Sequence, residues 1–477
     1  MSIATLSAPA HCKPGDNLIG YLHSLVEKAK LTHTRLYSSI SYQTTFSDPL
    51  ALLESLHLPN SPHCYFEKPT DEFSIACGEY LAHAEFQGID RFQTAKVWSQ
   101  SLLQTVERAG DAPLTGSGPT LFLNATFESG HHLGTQAALS VFLPRWQVIN
   151  QKGQHFIVLN TEIRPDSVPE QIQSELNRRL ESMVGLTYDH HNQPEKSTVA
   201  LSNVKENFNY QEGVTRALQE INSGKVSKIV LARQLTFDVQ KELCPFSIAH
   251  GLRAKFPDCH AFSLSAPDQG IWVGASPETL AHLRGNKLRT EALAGSAPRG
   301  ISAGKDAHWG KTLLAREKEV REHNLVIQSI HRRLASIGVS ELHQGLPRLL
   351  RLANLQHVRT PVQGVIPLGL HPFDILSALH PTPAMGGTPR GPALAKLAEI
   401  EQSPRGWYSG VAGWMDSRGR AEFIVPIRCG RLHKNSLTLY AGAGIVDGSI
   451  PAHEKQETDW KLQAMLEVIT GSPNLPV

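Results

Sequence analysis

Four glutamates at helical spacing are the first residues whose arrangement could do chemistry. Glu319 and Glu322 lie three positions apart in one long helical pattern, and Glu454 and Glu457 repeat that spacing near the end of the chain. Residues three apart share a helix face. Two such faces could together hold a hard cation such as Mg²⁺, which takes one or two protein carboxylates, several waters and an anionic substrate group. The alternative is a set of solvated surface charges.

Lys228 and Glu278 could supply a base and an acid. Lys228 opens the strand-like segment KIVLAR, and a lysine that points inward and loses its hydration has a lowered pKa and can take a proton. Glu278 ends the segment GASPE, and a carboxyl in a closed pocket can have a raised pKa and give a proton. The alternatives are an exposed lysine at a strand end, and a glutamate at a helix N-terminus with Ser276 as the cap and Pro277 in the first turn.

Two glycine-rich segments do not support a nucleotide-binding site, and one pair of adjacent histidines does not support a metal site. AGAGIVDG at 441–448 lacks the full dinucleotide fingerprint, and GGTPRG at 386–391 lacks the lysine and hydroxyl residue of a phosphate loop. Both segments could present backbone N–H groups to a carboxylate. His190 and His191 follow Asp189 in a polar stretch, and neighbours on a chain rarely both face one ion, so a solvated loop is favoured.

Mixed helix and strand patterns must position these residues. The helical patterns cover 169–184, 207–223, about 311–337 and 453–470, and glycines at 224, 338 and 471 lie near helix ends. The strand-like runs are 121–124, 156–160, 228–239, 271–275, 421–429 and 436–441, while 109–119 and 187–206 are typical of loops. Regular βαβ alternation is absent from this pattern, which predicts an α+β fold rather than a doubly wound sheet.

Composition excludes several classes of protein. Among 477 residues, 46 lysines and arginines nearly balance 44 acidic residues, so nothing suggests a nucleic-acid partner. The six cysteines form no C-x-x-C pair, which is typical of reduced thiols in a cytosolic protein. The N-terminal segment resembles neither a signal nor a transit peptide, and no apolar run has the length of a membrane span. We therefore expect a cytoplasmic protein without a membrane partner.

Ten segments, taken together and in order, resemble the chorismate-utilising enzymes, which include the isochorismate, salicylate, anthranilate and aminodeoxychorismate synthases. The segments are KIVLAR (228–233), GASPETL (274–280), TEALAGSAPRG (290–300), KEVREH (318–323), LQHV (355–358), HPTPAMGG (380–387), GWYSGVAGW (406–414), PIRCG (426–430), AGAGIV (441–446) and HEKQETDWK (453–461). Any one of them is weak evidence, but ten in register are specific, and they cover roughly residues 205–470.

The resemblance implies a fold and a domain organisation. Members of this family have a large two-layer β core surrounded by helices. We expect residues 1–200 to complete that core and residues 205–470 to form the chorismate-binding catalytic part, within one large domain that spans 1–477.

The resemblance also implies roles for the charged residues. Lys228 matches the family's general base, which activates water, and Glu278 matches the general acid, which protonates the hydroxyl that leaves ring carbon four. Four glutamates match the acidic residues around Mg²⁺, with the first two as ligands and the others as supporting carboxylates: Glu322, Glu457, Glu319 and Glu454.

The remaining matches line the family's substrate pocket. Tyr408 and Arg428 match residues that hold the enolpyruvyl carboxylate, and an arginine fork suits that planar anion. Lys461 matches a lysine beside a carboxylate. Further matches that line the pocket are Gly295, Ser296, His357, Ala384, Gly442 and Gly444; Ser296 stands where many relatives have threonine.

The sequence around Ala384 resembles that of one branch of the family. The ammonia-using members have HPTGT, with threonine where this chain has Ala384 in HPTPA, and they need a glutaminase partner. The resemblance therefore implies an Mg²⁺-dependent isochorismate synthase, an isomerase that adds water to chorismate at ring carbon two and expels the hydroxyl at carbon four. A glutaminase subunit is not expected, and a monomer is.

Three alternatives stay open at this point. One is a salicylate synthase, which forms isochorismate and then eliminates pyruvate; another is an amination like that of anthranilate synthase. The third is a non-catalytic paralogue that binds chorismate or a partner. The pathway is also open, because isochorismate feeds menaquinone, catechol siderophores and salicylate-derived products; PAHE at 451–454 faintly resembles members of the salicylate–siderophore group.

Overall fold

A large antiparallel sheet with helices packed against it forms the frame of the protein, seen in a computed structural model that describes residues 17–45, 47–110, 114–130, 136–186, 201–240 and 242–472. The α-helices are α1 (Leu18–Thr32), α2 (Pro49–Leu56), α3 (Arg91–Gln104), α4 (Pro169–Val184), α5 (Tyr210–Asn222), α6 (Pro245–Lys255), α7 (Ala303–Ala315), α8 (Glu317–Ser336), α9 (Pro372–Leu379), α10 (Arg390–Glu401) and α11 (Pro451–Thr470).

The strands run through the whole described part of the chain. They are β1 (Leu36–Thr44), β2 (His63–Lys68), β3 (Phe73–Phe86), β4 (Val106–Ala109), β5 (Thr120–Ala125), β6 (Leu139–Gln151), β7 (Gln154–Ile163), β8 (Leu201–Glu206), β9 (Lys228–Val239), β10 (His260–Ser265), β11 (Ile271–Ser276), β12 (Thr279–Arg284), β13 (Lys287–Pro298), β14 (Ser340–Gln344), β15 (Arg348–Arg351), β16 (Leu355–Val365), β17 (Gly387–Thr388), β18 (Val411–Asp416), β19 (Ala421–Ile424), β20 (Cys429–His433) and β21 (Ser436–Ile445).

The predicted α+β class is confirmed by this architecture. Among the pairings in the described ranges, β1 with β4 is parallel and the others are antiparallel. Helices lie against the strands, α8 on β13 and α11 on β21 among them. One core cluster, which includes Phe122, Phe262 and Trp272, contains no residue of a described helix, so its side chains pack strand face against strand face, as in a two-layer β core.

Strands from the two parts of the chain pair with each other. In the first pairing β2 lies beside β10, and in the second β5 lies beside β18. Strands of the N-terminal part therefore complete the sheet that carries the predicted catalytic strand β9. The expectation of one large domain over 1–477 stays a prediction.

Three predicted elements were wrong in their bounds. The helix predicted at about 311–337 is two helices, because the backbone of Arg316 is extended, with φ −67° and ψ 123°, although no glycine or proline marks the break. The strand predicted at 421–429 is interrupted at 425–428, where Arg428 has a left-handed φ of 52°. Residues 201–206 were predicted as loop but form the edge strand β8. Its side chains are mostly exposed and largely polar, so the sequence lacks the apolar pattern by which a strand is recognised.

The other predicted elements agree with the structure to within a few residues, α4, α5, α11 and β9 being examples. Asp189, His190 and His191 lie outside the described residues. In the ranges that the structure covers, no helix is long and apolar enough to cross a membrane.

Candidate active site

A pocket bounded by β9, β21, α8 and α11 contains most of the residues that the sequence singled out. The predicted residues that line it are Glu278, Gly295, Ser296, Glu322, His357, Ala384, Tyr408, Arg428, Gly442, Gly444, Glu457 and Lys461. Lys228 does not line the pocket wall but contacts Glu322. Glu319 and Glu454 lie behind the wall, on the same helices as the two glutamates that line it.

Lys228 is the first residue of β9, and its side chain is fully buried. Its Nζ lies 2.8 Å from Oε1 of Glu322, so the two charges pair across the space between β9 and α8. The ammonium is not aligned on that oxygen as a hydrogen-bond donor. The prediction of an inward-pointing lysine is confirmed, and the interpretation of an exposed strand-end lysine is wrong.

Glu278 lies in the two-residue connection between β11 and β12, so the alternative that placed it at a helix N-terminus is wrong. Ser276 does not cap a helix; its Oγ accepts a hydrogen bond from the N–H of Glu278. The carboxyl is buried, and its Oε2 has no hydrogen-bond partner. Burial, followed by the negative charge of Glu291, raises the pKa of Glu278 to about 8, against the opposing effect of Lys228. At neutral pH this residue is therefore protonated, as a general acid must be.

Glu291 is a residue that the sequence analysis quoted within TEALAG without giving it a role. It lies on β13, buried, and its Oε1 accepts a hydrogen bond of 2.9 Å from the N–H of Thr279. Its Oε2 pairs with Arg359 on β16. Glu291 thus fixes the start of β12 beside Glu278 and supplies the charge that helps to keep Glu278 protonated.

The four predicted acidic residues converge on one wall from α8 and α11. Glu319 falls in the first turn of α8, where the helix dipole favours a negative charge. Nevertheless, burial and the neighbouring carboxylate of Glu322, joined by Glu457 and Glu454, raise the pKa of Glu319 to about 7. The pKa of Glu454 is also raised, by burial and by Glu457. The group therefore carries more negative charge than it can hold without a counterion.

Lysines are the counterions that the structure shows. Lys318 lies 2.5 Å from Oε1 of Glu454, and Lys461 lies 2.7 Å from Oε1 of Glu457. Burial opposes ionisation of Glu457, but the positive charge of Lys461 outweighs it and holds the pKa of Glu457 below its usual value. Lys318 was missed by the sequence analysis, although it lies within the quoted segment KEVREH.

These carboxylates fit a magnesium ion by the chemistry of their donors. Three or more metal-binding side chains do not come together as a ready-made cage anywhere in the described ranges. Mg²⁺ does not need one, because it keeps several waters and binds through one or two carboxylates and an anionic ligand. The mutual repulsion of Glu319, Glu322, Glu454 and Glu457 is the condition that a dication relieves.

Gly444 has to lack a side chain for Glu322 to reach this position. A Cβ at Gly444 would lie 2.3 Å from Oε1 of Glu322 and 3.1 Å from Cε of Lys228. Gly442, two residues earlier on β21, packs against the hydroxyl of Tyr408 in the same way, at 3.2 Å from the position of a Cβ. Both glycines therefore give space to charged or polar groups of the pocket.

The wall around Arg428 is positive. Arg428 is buried, and among the described residues it has no carboxylate partner. Its Nη2 donates to Nε2 of His357 at 2.8 Å. Nδ1 of His357 donates to the backbone oxygen of Gly295 at 3.2 Å and lies 3.1 Å from Oγ of Ser296. Burial and the charge of Arg428 hold the pKa of His357 well below its usual value, so this histidine is a neutral acceptor that orients Arg428.

Tyr408 and Lys461 also line the pocket. Tyr408 stacks on Tyr440, with ring centroids 5.2 Å apart, which fixes the direction of its hydroxyl. Lys461 donates from Nζ to the backbone oxygen of Gly442 at 2.7 Å. The pocket therefore combines the carboxylates of Glu322 and Glu457 with an arginine that has no carboxylate partner among the described residues, and the buried Glu278 lines it as well.

A match to a family model supports a relationship over almost the whole chain. The model described as "Chorismate binding enzyme" matches residues 24–470. The chain is 35% identical over 270 residues to the salicylate biosynthesis isochorismate synthase of Pseudomonas aeruginosa, covering 57% of this chain and 56% of that protein. It is 34% identical over 284 residues to the isochorismate synthase MenF of Bacillus subtilis, covering 58% and 59%. The matched segments thus span little more than half of these relatives.

Solved structures extend the similarity of fold to the N-terminal part. The menaquinone-specific isochorismate synthase MenF from Escherichia coli superposes with a TM-score of 0.76 and 24% identity, over 94% of this chain and 99% of that one. The protein described as a 2,3-dihydroxybenzoate-specific isochorismate synthase, DhbC from Bacillus anthracis, gives a TM-score of 0.69 and 23% identity, over 88% and 99%. At these identities the two structures support the fold.

Proposed function

The chain belongs to the family of chorismate-binding enzymes, and we propose that it is an isochorismate synthase, an isomerase that converts chorismate to isochorismate. The observation that carries the proposal is the placement of Lys228 and Glu278. Lys228 begins β9, and Glu278 lies in the connection between β11 and β12. Both are buried; Glu278 lines the pocket, and Lys228 lies against Glu322, which also lines it.

The proposed reaction has two proton transfers, one at each of these groups. The amine of Lys228, when neutral, takes the proton of the water that attacks ring carbon two. Glu278 gives its proton to the hydroxyl that leaves carbon four, and its raised pKa keeps that proton available at neutral pH. One base and one acid each contribute about 10² to 10⁴-fold to such a step.

Binding of the substrate is assigned to the positive wall. Arg428 and Tyr408 hold the enolpyruvyl carboxylate, and the fork of Arg428 is oriented for it by His357. Gly442 and Gly444 bring the backbone of β21 close to the ligand, because no side chain intervenes. Ala384 contributes a small apolar contact where the ammonia-using branch has a hydroxyl.

Mg²⁺ is part of the proposal. Glu322 and Glu457 would hold it, with Glu319 and Glu454 acting through its waters, and when bound it would neutralise the ring carboxylate of the substrate. Support comes from the repulsion among these four carboxylates, described above.

The proposal covers the compartment and the oligomeric state of the enzyme but not its metabolic pathway. We expect it to act in the cytoplasm, as a monomer and without a glutaminase subunit; the free cysteines of the described ranges agree with a reducing compartment. The relatives named above are described as serving salicylate biosynthesis and menaquinone, and another, from Vibrio cholerae, is described as vibriobactin-specific. The proposal therefore stops at the reaction that these names share.

The test is a product analysis with purified protein, chorismate and Mg²⁺, without ammonia, resolved by liquid chromatography. Isochorismate should accumulate to a partial equilibrium, and Lys228→Ala and Glu278→Gln should each reduce its formation to a trace. Lys225→Ala is the matched control, because Lys225 is an exposed lysine three residues earlier and should keep full activity. Salicylate with pyruvate as the main product would show a lyase instead, and a product that requires ammonia would show an aminating enzyme.

A further inference from the structure

A second cavity lies beside the active-site pocket and shares none of its lining residues. Its volume is about 420 Å³, within the size range of sites for small organic molecules. The segment that includes Pro381 and Met385 separates the two spaces, because Pro381 lines the second cavity and Met385 lines the first. Much of the second wall is apolar, with Phe127, Leu394 and Leu397 among its residues.

Two helix N-termini meet at this cavity, and each begins with an arginine. Arg91 is the first residue of α3, and Arg390 is the first residue of α10. Neither first turn contains an acidic residue, and neither helix has a side-chain cap hydrogen bond. Asp90 is the N-cap residue of α3, but it is exposed and does not line the cavity. The dipoles of both helices therefore add positive potential to that of the two guanidinium groups.

These arginines have no ion-pair partner in the described part of the chain. Arg91 is only 4% exposed, yet its Nε has no hydrogen-bond partner and its Nη1 makes one long contact, 3.4 Å to the backbone oxygen of Gly88. Arg390 is half-buried and makes no hydrogen bond to the described residues. Burial lowers the pKa of each to about 10, and the charge of Arg91 adds to the effect on Arg390. The guanidinium of Arg91 does lie over the ring of Phe92, 4.9 Å from its centroid. A buried cation without an ion-pair partner is nevertheless costly, so an anion would stabilise both arginines.

The acidic groups at the cavity, Glu128 and Glu401, form no ion pair with either arginine. Glu401 is engaged by Arg405, with which it forms a buried ion pair, and by the N–H of Ala232. Glu128 accepts from the N–H of Arg405 through Oε1. Its charge raises the pKa of Arg91 against the larger effect of burial, but burial also raises the pKa of Glu128 itself. The nearby His380 is buried, and burial with the charges of both arginines holds its pKa well below the usual value, so it is neutral.

The geometry points to a second binding site, which takes a small organic carboxylate: the anion pairs with Arg91 and Arg390, and an apolar body packs on Phe127, Leu394 and Leu397. The apolar wall distinguishes this ligand from a bare inorganic anion, which would leave that wall in contact with water. The site is separate from the one assigned to chorismate and does not depend on the activity of the enzyme.

Benzoate is a suitable probe, titrated calorimetrically into the full-length protein. Arg390→Gln should weaken its binding about tenfold, the loss of one charge-assisted contact. Ala398→Glu places a negative charge at an exposed position of the cavity wall on α10 and should weaken binding by at least as much. Ala395→Glu is the matched control, because Ala395 is exposed on the same helix but outside the cavity, and it should leave the affinity unchanged.

Two further titrations separate the features of the ligand. Benzamide, which has the same shape without the charge, should bind at least tenfold more weakly than benzoate, and inorganic phosphate should not displace benzoate. The inference is overturned if benzoate shows no saturable binding, if benzamide or phosphate binds as well, or if Ala398→Glu and Ala395→Glu have equal affinities, which would place the benzoate elsewhere, for example beside Arg428. Thermal unfolding of each variant verifies that it is folded.

Discussion

Nζ of Lys228 lies 2.8 Å from Oε1 of Glu322, and this contact joins the proposed base to a proposed metal ligand inside the protein. Both side chains are buried, Lys228 completely. The pair ties the first residue of β9 to α8, across a gap of almost one hundred residues in the sequence. The two functions are therefore coupled: a change to either residue leaves the other as an uncompensated charge in the interior.

The first prediction concerns this coupling. Lys228→Met or Glu322→Gln alone should lower the free energy of unfolding by about 3–5 kcal/mol, the cost of breaking a buried pair from one side. The double variant should regain most of that loss, although it stays inactive. Urea unfolding of the four proteins without Mg²⁺ gives the coupling energy as a double-mutant cycle. Additive losses would contradict the pairing.

The second prediction is a pH dependence of the reaction. Glu278 has to be protonated to act as an acid, and its pKa is raised to about 8. The value of kcat/KM for chorismate should therefore fall as the pH rises through about 8. Glu278→Gln should retain only a trace of activity, without this alkaline limb. Initial rates over a pH series at saturating Mg²⁺ test this, and a flat profile up to pH 9 would contradict the role of Glu278.

The third prediction is an effect of the same residue on stability. In the unfolded chain Glu278 loses its proton near its ordinary pKa of 4.5, whereas in the folded protein it keeps it up to about 8. Between these values rising pH favours the unfolded state, so folding loses stability there. Glu278→Gln cannot ionise and should be more stable than the natural chain at about pH 8, with the difference vanishing below about pH 4. Chemical denaturation at both pH values measures it; an equal gain at both would point to packing instead.

The fourth prediction assigns the raised pKa of Glu278 partly to Glu291. Glu291→Gln removes a negative charge but keeps an oxygen for the N–H of Thr279, so the alkaline limb should move to lower pH. Arg359→Gln is the control, because it removes the ion-pair partner and leaves the charge of Glu291 in place. It should not move the limb downward. Equal downward shifts in both variants would mean that loss of the ion pair, not loss of charge, is responsible.

The fifth prediction concerns Gly444. Gly444→Ala places a Cβ against Oε1 of Glu322 and Cε of Lys228, so it should lower both the activity and the affinity for Mg²⁺ at least about tenfold. Gly304→Ala is a control in which nothing lies within 4 Å of the added carbon. Activity assays and calorimetric titration with Mg²⁺ compare the two. If Gly444→Ala retained normal affinity for the metal, Glu322 would not be a ligand.

Local pattern was sufficient for most of the elements and for the spacing of the site residues. Periodicity gave α4, α5 and α11 and the strand β9, because a helix or strand repeats its own geometry at every turn or residue pair. It also placed Glu319 with Glu322, and Glu454 with Glu457, on common helix faces. The order of the ten quoted segments gave the family, which the match over residues 24–470 bears out.

Only the tertiary structure decided which way the decisive side chains point and what they meet. For Lys228 and Glu278 the sequence also allowed an interpretation without a catalytic role. It could not decide between the two, because burial depends on what packs over a residue and not on its neighbours in the chain. The role of Glu291 beside Glu278 and the unpaired arginines of the second cavity share that origin. In each case the deciding contact joins residues from different elements. Charges and hydrogen bonds between residues so far apart in the chain produce no periodic pattern in the sequence, so they could not be predicted from it.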